Sequence, residues 1–180
     1  MCGRFVYDEK PKNLRERYGI KEIPEAAQSL LIPRYNIAPG ANVPIITNYP
    51  EKELEIMKWG LVPFWAENQG IGYKLINARA ETIDKKPSFK NSFKNKRCLV
   101  PATGFYEWEK DDGLGKIPHL IQRKDKKPFS FAGLFDSWKD AEGKEFKTFT
   151  IITTTPNKLV EPIHNRMPVI LDKNVETDWI

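Results

Sequence analysis

A chain of 180 residues with 40% hydrophobic and 29% charged side chains can bury one domain's core, which excludes wholesale disorder. Its 14 prolines against 11 glycines exclude a long-helix bundle, and no apolar run approaches the roughly 18 residues of a membrane span. The formal net charge of +5 hints at a polyanionic partner, against the plainer reading of a lysine-rich surface.

A short strand is predicted over residues 2–7. Asp8 caps a first helix over 9–18, which Gly19 ends. Residues 33–44 read as a loop, with Asn36, Pro39, Gly40 and Asn42 as turn formers. Strands rich in β-branched and aromatic residues follow at 43–47, 54–59, 98–100, 104–109, 117–122, 129–135 and 146–154. Asp111-Asp112-Gly113 and Ala141-Glu142-Gly143 predict hairpin turns. Helical pieces are expected at 81–86, 88–95, 156–160 and from Asp172 onward. Many strands among scattered short helices give an α+β fold around a barrel-like mixed sheet. No repeat or linker divides residues 1–180, so one domain is expected. Its last amphipathic segment, 172–180, breaks off early, which predicts a chain shortened at the C-terminus.

The opening Met1-Cys2-Gly3-Arg4 has no apolar leader, so a cytoplasmic location is expected. Two cysteines exclude a disulfide framework, and two Cys and two His far apart lack zinc-site spacing. Cys2 is more interesting. Met1 is removed when a small residue follows, leaving a 1,2-aminothiol. Its α-amine, with a reference pKa of about 7.7–8.0, is partly neutral at pH 7 and can attack an aldehyde. The neighbouring thiol can then close a thiazolidine ring. The plainer reading makes Cys2 a small residue that begins a strand.

Four other stretches carry candidate chemistry. In an extended Asn77-Ala78-Arg79, the amide and the guanidinium share one side and suit a sugar or phosphate oxygen. Within Gly104-Phe105-Tyr106-Glu107-Trp108, Phe105 and Glu107 face one way and Tyr106 and Trp108 the other. A carboxylate among aromatics is partly desolvated, which raises its pKa and suits it to acid/base work. An exposed carboxylate on an amphipathic strand is the alternative. His164 and Arg166 sit between Pro162 and Pro168 in a rigid loop, where an imidazole can shuttle protons or simply be hydrogen-bonded. Residues 85–97 hold six basic residues and no acid, with Phe89 and Phe93 interleaved. That suits single-stranded nucleic acid, or a helix that buries both rings. His119 and Cys98 read as structural.

These pieces together resemble the SOS-response-associated peptidase family, the abasic site processing proteins. The resemblance rests on Met1-Cys2-Gly3-Arg4-Phe5, Arg34-Tyr35-Asn36-Ile37-Ala38-Pro39, Lys58-Trp59-Gly60-Leu61-Val62-Pro63 and Asn77-Ala78-Arg79-Ala80-Glu81-Thr82. It rests also on Gly104-Phe105-Tyr106-Glu107-Trp108, Phe131-Ala132-Gly133-Leu134-Phe135, Ile151-Ile152-Thr153-Thr154 and His164-Asn165-Arg166-Met167-Pro168, all in family order. It implies a single α+β domain with a closed barrel-like core, working as a monomer without cofactor or metal. The implied partner is single-stranded DNA carrying an abasic site, crosslinked covalently through the N-terminal cysteine during the DNA damage response.

Carried over residue by residue, the resemblance makes Cys2 the nucleophile and has Asn77 orient the sugar or the amine. Glu107 becomes the general acid/base, and His164 supports Schiff-base formation or proton transfer. Arg4, Arg79 and Arg166 hold phosphates, Pro39 and Trp65 wedge against the DNA, and Thr153 is a backbone contact. Two departures stand out. Lys86-Pro87 falls where some members carry a further arginine, and members usually continue past Ile180, which leaves the packing of the last helix open. Two other functions are compatible with these residues: an N-terminal-cysteine peptidase or hydrolase, which would also account for self-removal of Met1, and a noncovalent single-strand binding module.

Overall fold

A computed structural model describes residues 2–48, 51–113 and 115–180. Met1, whose removal the sequence expects, lies outside them. The chain runs through β1 (Arg4–Tyr7), α1 (Pro11–Tyr18), α2 (Glu25–Gln28), β2 (Arg34–Ile37), β3 (Asn42–Asn48), β4 (Lys52–Trp59) and β5 (Asn77–Arg79). It continues with α3 (Pro87–Asn95), β6 (Arg97–Ala102), β7 (Gly104–Asp111), β8 (Gly115–Gln122), β9 (Phe129–Lys139) and β10 (Glu145–Thr154). It ends with β11 (Met167–Pro168), β12 (Ile170–Leu171) and α4 (Glu176–Trp179).

Strands β4, β3, β6, β9 and β10 pair in that order, and β10 returns to β4 to close a barrel. Within the ring only β4–β10 is parallel, with Thr148 opposite Lys58 and Phe149 opposite Trp59. Where β4 leaves β10, β5 takes its place in parallel, with Ile151 opposite Asn77 and Thr153 opposite Arg79. That handover brings Asn77 alongside the barrel strand that carries Thr153. A second, antiparallel sheet of order β2-β1-β7-β8 packs on the barrel core through aromatic rings. Phe5 meets Trp59 edge-on at 5.3 Å, and Phe105 meets Phe131 at 6.0 Å. Gly133 of β9 is set by close approach: a Cβ there would lie 2.8 Å from the Cys98 sulfur and 2.9 Å from Val100. Among the described residues no helix is long and apolar enough to cross a membrane.

The α+β barrel expected from the sequence is present, and each expected strand forms, most of them longer than expected. Differences cluster at helix starts and in loops. Asp8 does not cap α1. Its carboxylate accepts from the Thr103 hydroxyl at 2.5 Å, and the helix starts at Pro11, whose missing N–H suits a first turn. The 33–44 loop contains β2, because β1 needs a partner on its free edge: Phe5 pairs with Ile37. No helix spans 81–86, only a 3-10 turn over Ala80–Thr82 with following turns. Pro87 disfavours helical backbone at Lys86 and starts α3 afresh. Residues 156–160 form a turn in which the Asn157 side chain accepts from the Leu159 and Val160 amides, an alternative to helix. In α3, Phe89 is buried and Phe93 packs against Trp179, so the core reading of the two rings holds.

The last helix is tied down. Arg17 forks onto the Glu176 carboxylate at 2.8 and 2.7 Å, and Glu176 also accepts from the Ser130 hydroxyl at 2.7 Å. The two ionic side chains are only 15% and 6% exposed. Removing one partner of such a pair leaves an uncompensated buried charge, a loss of about 3 kcal/mol. Glu176→Ala is therefore expected to lower the unfolding free energy in urea by that amount, read as a lower midpoint at unchanged slope. A loss below about 1 kcal/mol would show the pair behaving like an exposed one.

Candidate functional site

Cys2 and Glu107 are both buried, at 0% and 2% exposure. Cys2 stands two residues before Arg4, the position at which β1 pairs with Tyr106 of β7. Alternation along β7 turns Glu107 inward with Phe105. Burial pushes the Cys2 thiol well above the usual range, and the nearby Glu107 carboxylate pushes it further. The thiol is therefore held as S–H at neutral pH. Burial likewise raises Glu107, against the opposing charge of His164. Electrostatics thus link Cys2, Glu107 and His164, three residues far apart in sequence.

His164 sits in a loop pinned by its own amide, which donates to the Val160 carbonyl at 2.9 Å. The Arg166 amide donates to Nδ1 at 3.0 Å. The same nitrogen lies 3.1 Å from the Arg166 carbonyl oxygen, so the Arg166 backbone holds this edge of the ring. The Arg166 side chain forks onto the Glu81 carboxylate at 2.8 and 3.0 Å and donates to the Thr153 carbonyl at 2.7 Å. That fork holds Glu81 at about 2, well below the usual carboxylate range. Glu81 is a partner that sequence reasoning missed. Its signal was its place in the motif Asn77-Ala78-Arg79-Ala80-Glu81-Thr82.

The buried Thr153 thus spends its carbonyl on Arg166. Asn77 donates from Nδ2 to the Ile76 carbonyl at 2.9 Å, while its Oδ1 is buried with no hydrogen-bond partner among the described residues. An orphan acceptor of this kind is costly unless a ligand fills it. Arg79, two residues on, is exposed. Arg4 donates to the Asn36 side chain at 2.9 Å.

Pro39 lies in the turn before β3, where the Gly40 amide donates to the Trp59 carbonyl at 2.8 Å. Trp65 is 48% exposed and its neighbour Phe64, which sequence reasoning passed over, 59%. Their loop is anchored by the Phe64 amide on Asp136 and by Trp138, whose indole donates to the Ala66 carbonyl at 2.6 Å. Pro39 and Trp65 stand on their own loops, outside the hydrogen-bonded group formed by Glu81, Thr153, His164 and Arg166. His119 pairs with Glu109 at 2.9 Å, and Cys98 is buried, both as structural residues. No group of three or more His, Cys, Asp or Glu that could hold a metal ion occurs among the described residues.

A closed mixed barrel, backed by a sheet that buries a near-terminal cysteine against a carboxylate, defines a narrow class of α+β proteins. The chain belongs to the SOS response associated peptidase (SRAP) family, whose profile matches residues 1–180. It is 45% identical over 182 residues to the abasic site processing protein YoqW of Bacillus subtilis, covering all of this chain and 80% of that one. It is 32% identical over 212 residues to the abasic site processing protein HMCES of Xenopus tropicalis, covering 96% of this chain and 63% of that one. A crystal structure of a Bacteroides thetaiotaomicron protein superposes with a TM-score of 0.91 at 39% identity, over 99% of this chain and 80% of that one.

Proposed function

We propose that this chain recognises abasic sites in single-stranded DNA and crosslinks to them through Cys2 once Met1 is gone, shielding the lesion. The observation that carries the reading is the buried Cys2 beside the buried Glu107. The names of its relatives, abasic site processing proteins, supply the substrate class. An abasic sugar in its open form is an aldehyde, the partner an aminothiol takes.

The sequence of steps follows from which groups hold protons. A protonated Glu107 donates to the ring oxygen as the C1′–O4′ bond breaks, and water takes the C1′ hydroxyl proton, leaving the open-chain aldehyde. The Cys2 amine attacks the aldehyde carbon, and water leaves to give a Schiff base. The thiol sulfur then adds to that carbon while its proton passes to nitrogen, closing the thiazolidine. One water is lost and nothing is oxidised. Because burial keeps the sulfur as S–H, the amine attacks first. The same feature weighs against a cysteine peptidase, whose nucleophile must be a thiolate. His164, whose charge opposes the effect of burial on Glu107, steadies that carboxylate when it is ionised. Asn77 Oδ1, the orphan acceptor, orients the amine through its N–H. Arg4 and Arg79 take phosphates. Arg166, its fork engaged by Glu81 and Thr153, keeps only its remaining N–H groups for one. Pro39 and Trp65 wedge at the lesion, and an aromatic there replaces lost stacking. On this reading the chain acts as a monomer in the compartment that holds the DNA.

The test is a denaturing gel with protein whose Met1 loss is confirmed by mass spectrometry. A shifted band is expected with a single-stranded oligonucleotide carrying one abasic aldehyde. None is expected with an intact strand or with the aldehyde first reduced to the alcohol. No band from folded, processed protein overturns the reading, and turnover of peptides without DNA would put the peptidase in its place.

A further inference from the structure

The β7–β8 hairpin sorts its charges by face. Glu107, Glu109 and Asp111 alternate inward or onto one face, while Tyr106, Trp108 and Lys110 take the other. Register places Leu120 opposite Tyr106 and Lys116 opposite Lys110, and Arg4 of β1 on the far side of Tyr106. The outer face of the sheet therefore carries two half-buried aromatic rings, 6.3 Å apart between centroids, among three cations and no carboxylate from the hairpin strands. Leu120, 45% exposed, extends the apolar surface beside Tyr106.

Two features say what covers this face. Lys110 and Lys116 stand directly opposite one another, a destabilising pairing for the hairpin alone. It is relieved when a polyanion lies across both. Lysine on an edge strand is a common guard against aggregation, but only β8 is the edge, and Lys110 lies on the inner strand β7. The face is also continuous with the candidate site. Arg4 is two residues from Cys2, about 7 Å along an extended chain, and pairs with Tyr106.

We infer that the outer face of the β1–β7–β8 sheet is a stacking platform for two unpaired nucleotides flanking the lesion, with Tyr106 and Trp108 under the bases and Arg4, Lys110 and Lys116 along the phosphates. The inference rests on the single-stranded DNA reading of the Cys2 site and adds a surface to it. Stacking on a ring is indifferent to base identity, so the platform measures strand length and not sequence.

The test compares a short single-stranded oligonucleotide, with the lesion and one nucleotide on each side, against the same strand lengthened by five deoxythymidines on the 5′ or the 3′ side. Dissociation constants are taken with a stable abasic analogue and crosslinking rates with the aldehyde. Lengthening on one side is expected to tighten binding by about tenfold per stacked base and to quench Trp fluorescence. Tyr106→Ala combined with Trp108→Ala should erase that gain and leave crosslinking of the short strand at saturation unchanged. Trp108→Phe should keep most of the gain, separating stacking from hairpin collapse. Lys110→Gln with Lys116→Gln should flatten the salt dependence by roughly 0.7 per charge.

A flank that adds nothing to the unaltered protein, or a gain that survives loss of both rings, overturns the platform while the short strand still crosslinks. A short strand that fails to crosslink overturns the reading of the Cys2 site instead. A dimer in solution that Trp108→Ala breaks would assign the face to a second copy of the chain and overturn the proposal.

Discussion

Cys2→Ala protein is expected to bind the abasic strand yet give no adduct that survives heating in denaturant. Alanine is small enough for Met1 to be removed, so the α-amine is kept and only the sulfur is lost. The amine still forms a Schiff base, but without the thiol nothing closes over the C=N bond, and water reverses it. Borohydride added during the reaction should therefore recover a covalent band as the secondary amine. A Schiff base also acidifies the C2′ proton; its loss expels the 3′ phosphate by breaking the C3′–O bond. The variant is thus expected to nick strands that the unaltered protein leaves whole. Arg4 and Arg79, the proposed phosphate contacts, stay in place, so noncovalent affinity should change little. A tag left ahead of Cys2 makes the amine an amide and should remove both the stable and the trapped band. A heat-stable adduct formed by Cys2→Ala without reductant would sink the mechanism.

Much of this architecture was legible in the sequence, for identifiable reasons. β9 and β10 are long, β-branched and aromatic, and Gly143 beside Asp140 marks the turn between them: the Asp140 carboxylate accepts from the Glu142 and Lys144 amides. The alternation that separates Phe105 and Glu107 from Tyr106 and Trp108 is local, so it could be read without knowing what lay opposite. Whether Glu107 faced water or core was not local. That depended on the second sheet packing through Phe105 onto Phe131, a contact across sequence that no period reveals.

The expectations that failed did so for the same reason. Asp8 has the chemistry of a helix cap, but Thr103, on the connection to β7, claims its carboxylate. Residues 34–37 look like a polar loop until β1 offers them an edge. The Glu81–Arg166 and Glu176–Arg17 pairs join residues 85 and 159 positions apart. Charge counting finds such residues but not their partners. The site shows the same division. Cys2, Asn77, Glu107 and His164 were each named from the sequence. That burial keeps the thiol protonated, and that the Arg166 backbone holds the His164 ring, follows only from the fold.

Glu107→Gln separates the chemistry from the fold most sharply, because the two are expected to move in opposite directions. Burial raises Glu107 above its ordinary value of 4.5, so the folded protein keeps this proton to higher pH than the unfolded chain. Between those two values the folded state binds more protons, and stability falls as pH rises. Glutamine has nearly the same shape and no charge to desolvate, so the variant's urea midpoint at pH 8 should equal or exceed that of the unaltered protein. The crosslinking rate should fall by about 10²–10⁴, the usual contribution of a positioned acid/base. Its pH dependence should change form as well. The unaltered rate requires a neutral amine, lost toward acid pH, and a protonated Glu107, lost toward alkaline pH, which gives a bell. In Glu107→Gln the alkaline limb has no group left to titrate. The rate should then rise with deprotonation of the amine, near pH 7.7–8.0, and level off. Single-turnover rates from pH 5 to 10, beside urea midpoints over the same range, decide it. A bell retained in Glu107→Gln would assign the proton transfer elsewhere, with His164 the next group to vary. A variant that loses stability together with rate would mean that the carboxylate holds the site together instead of moving its protons.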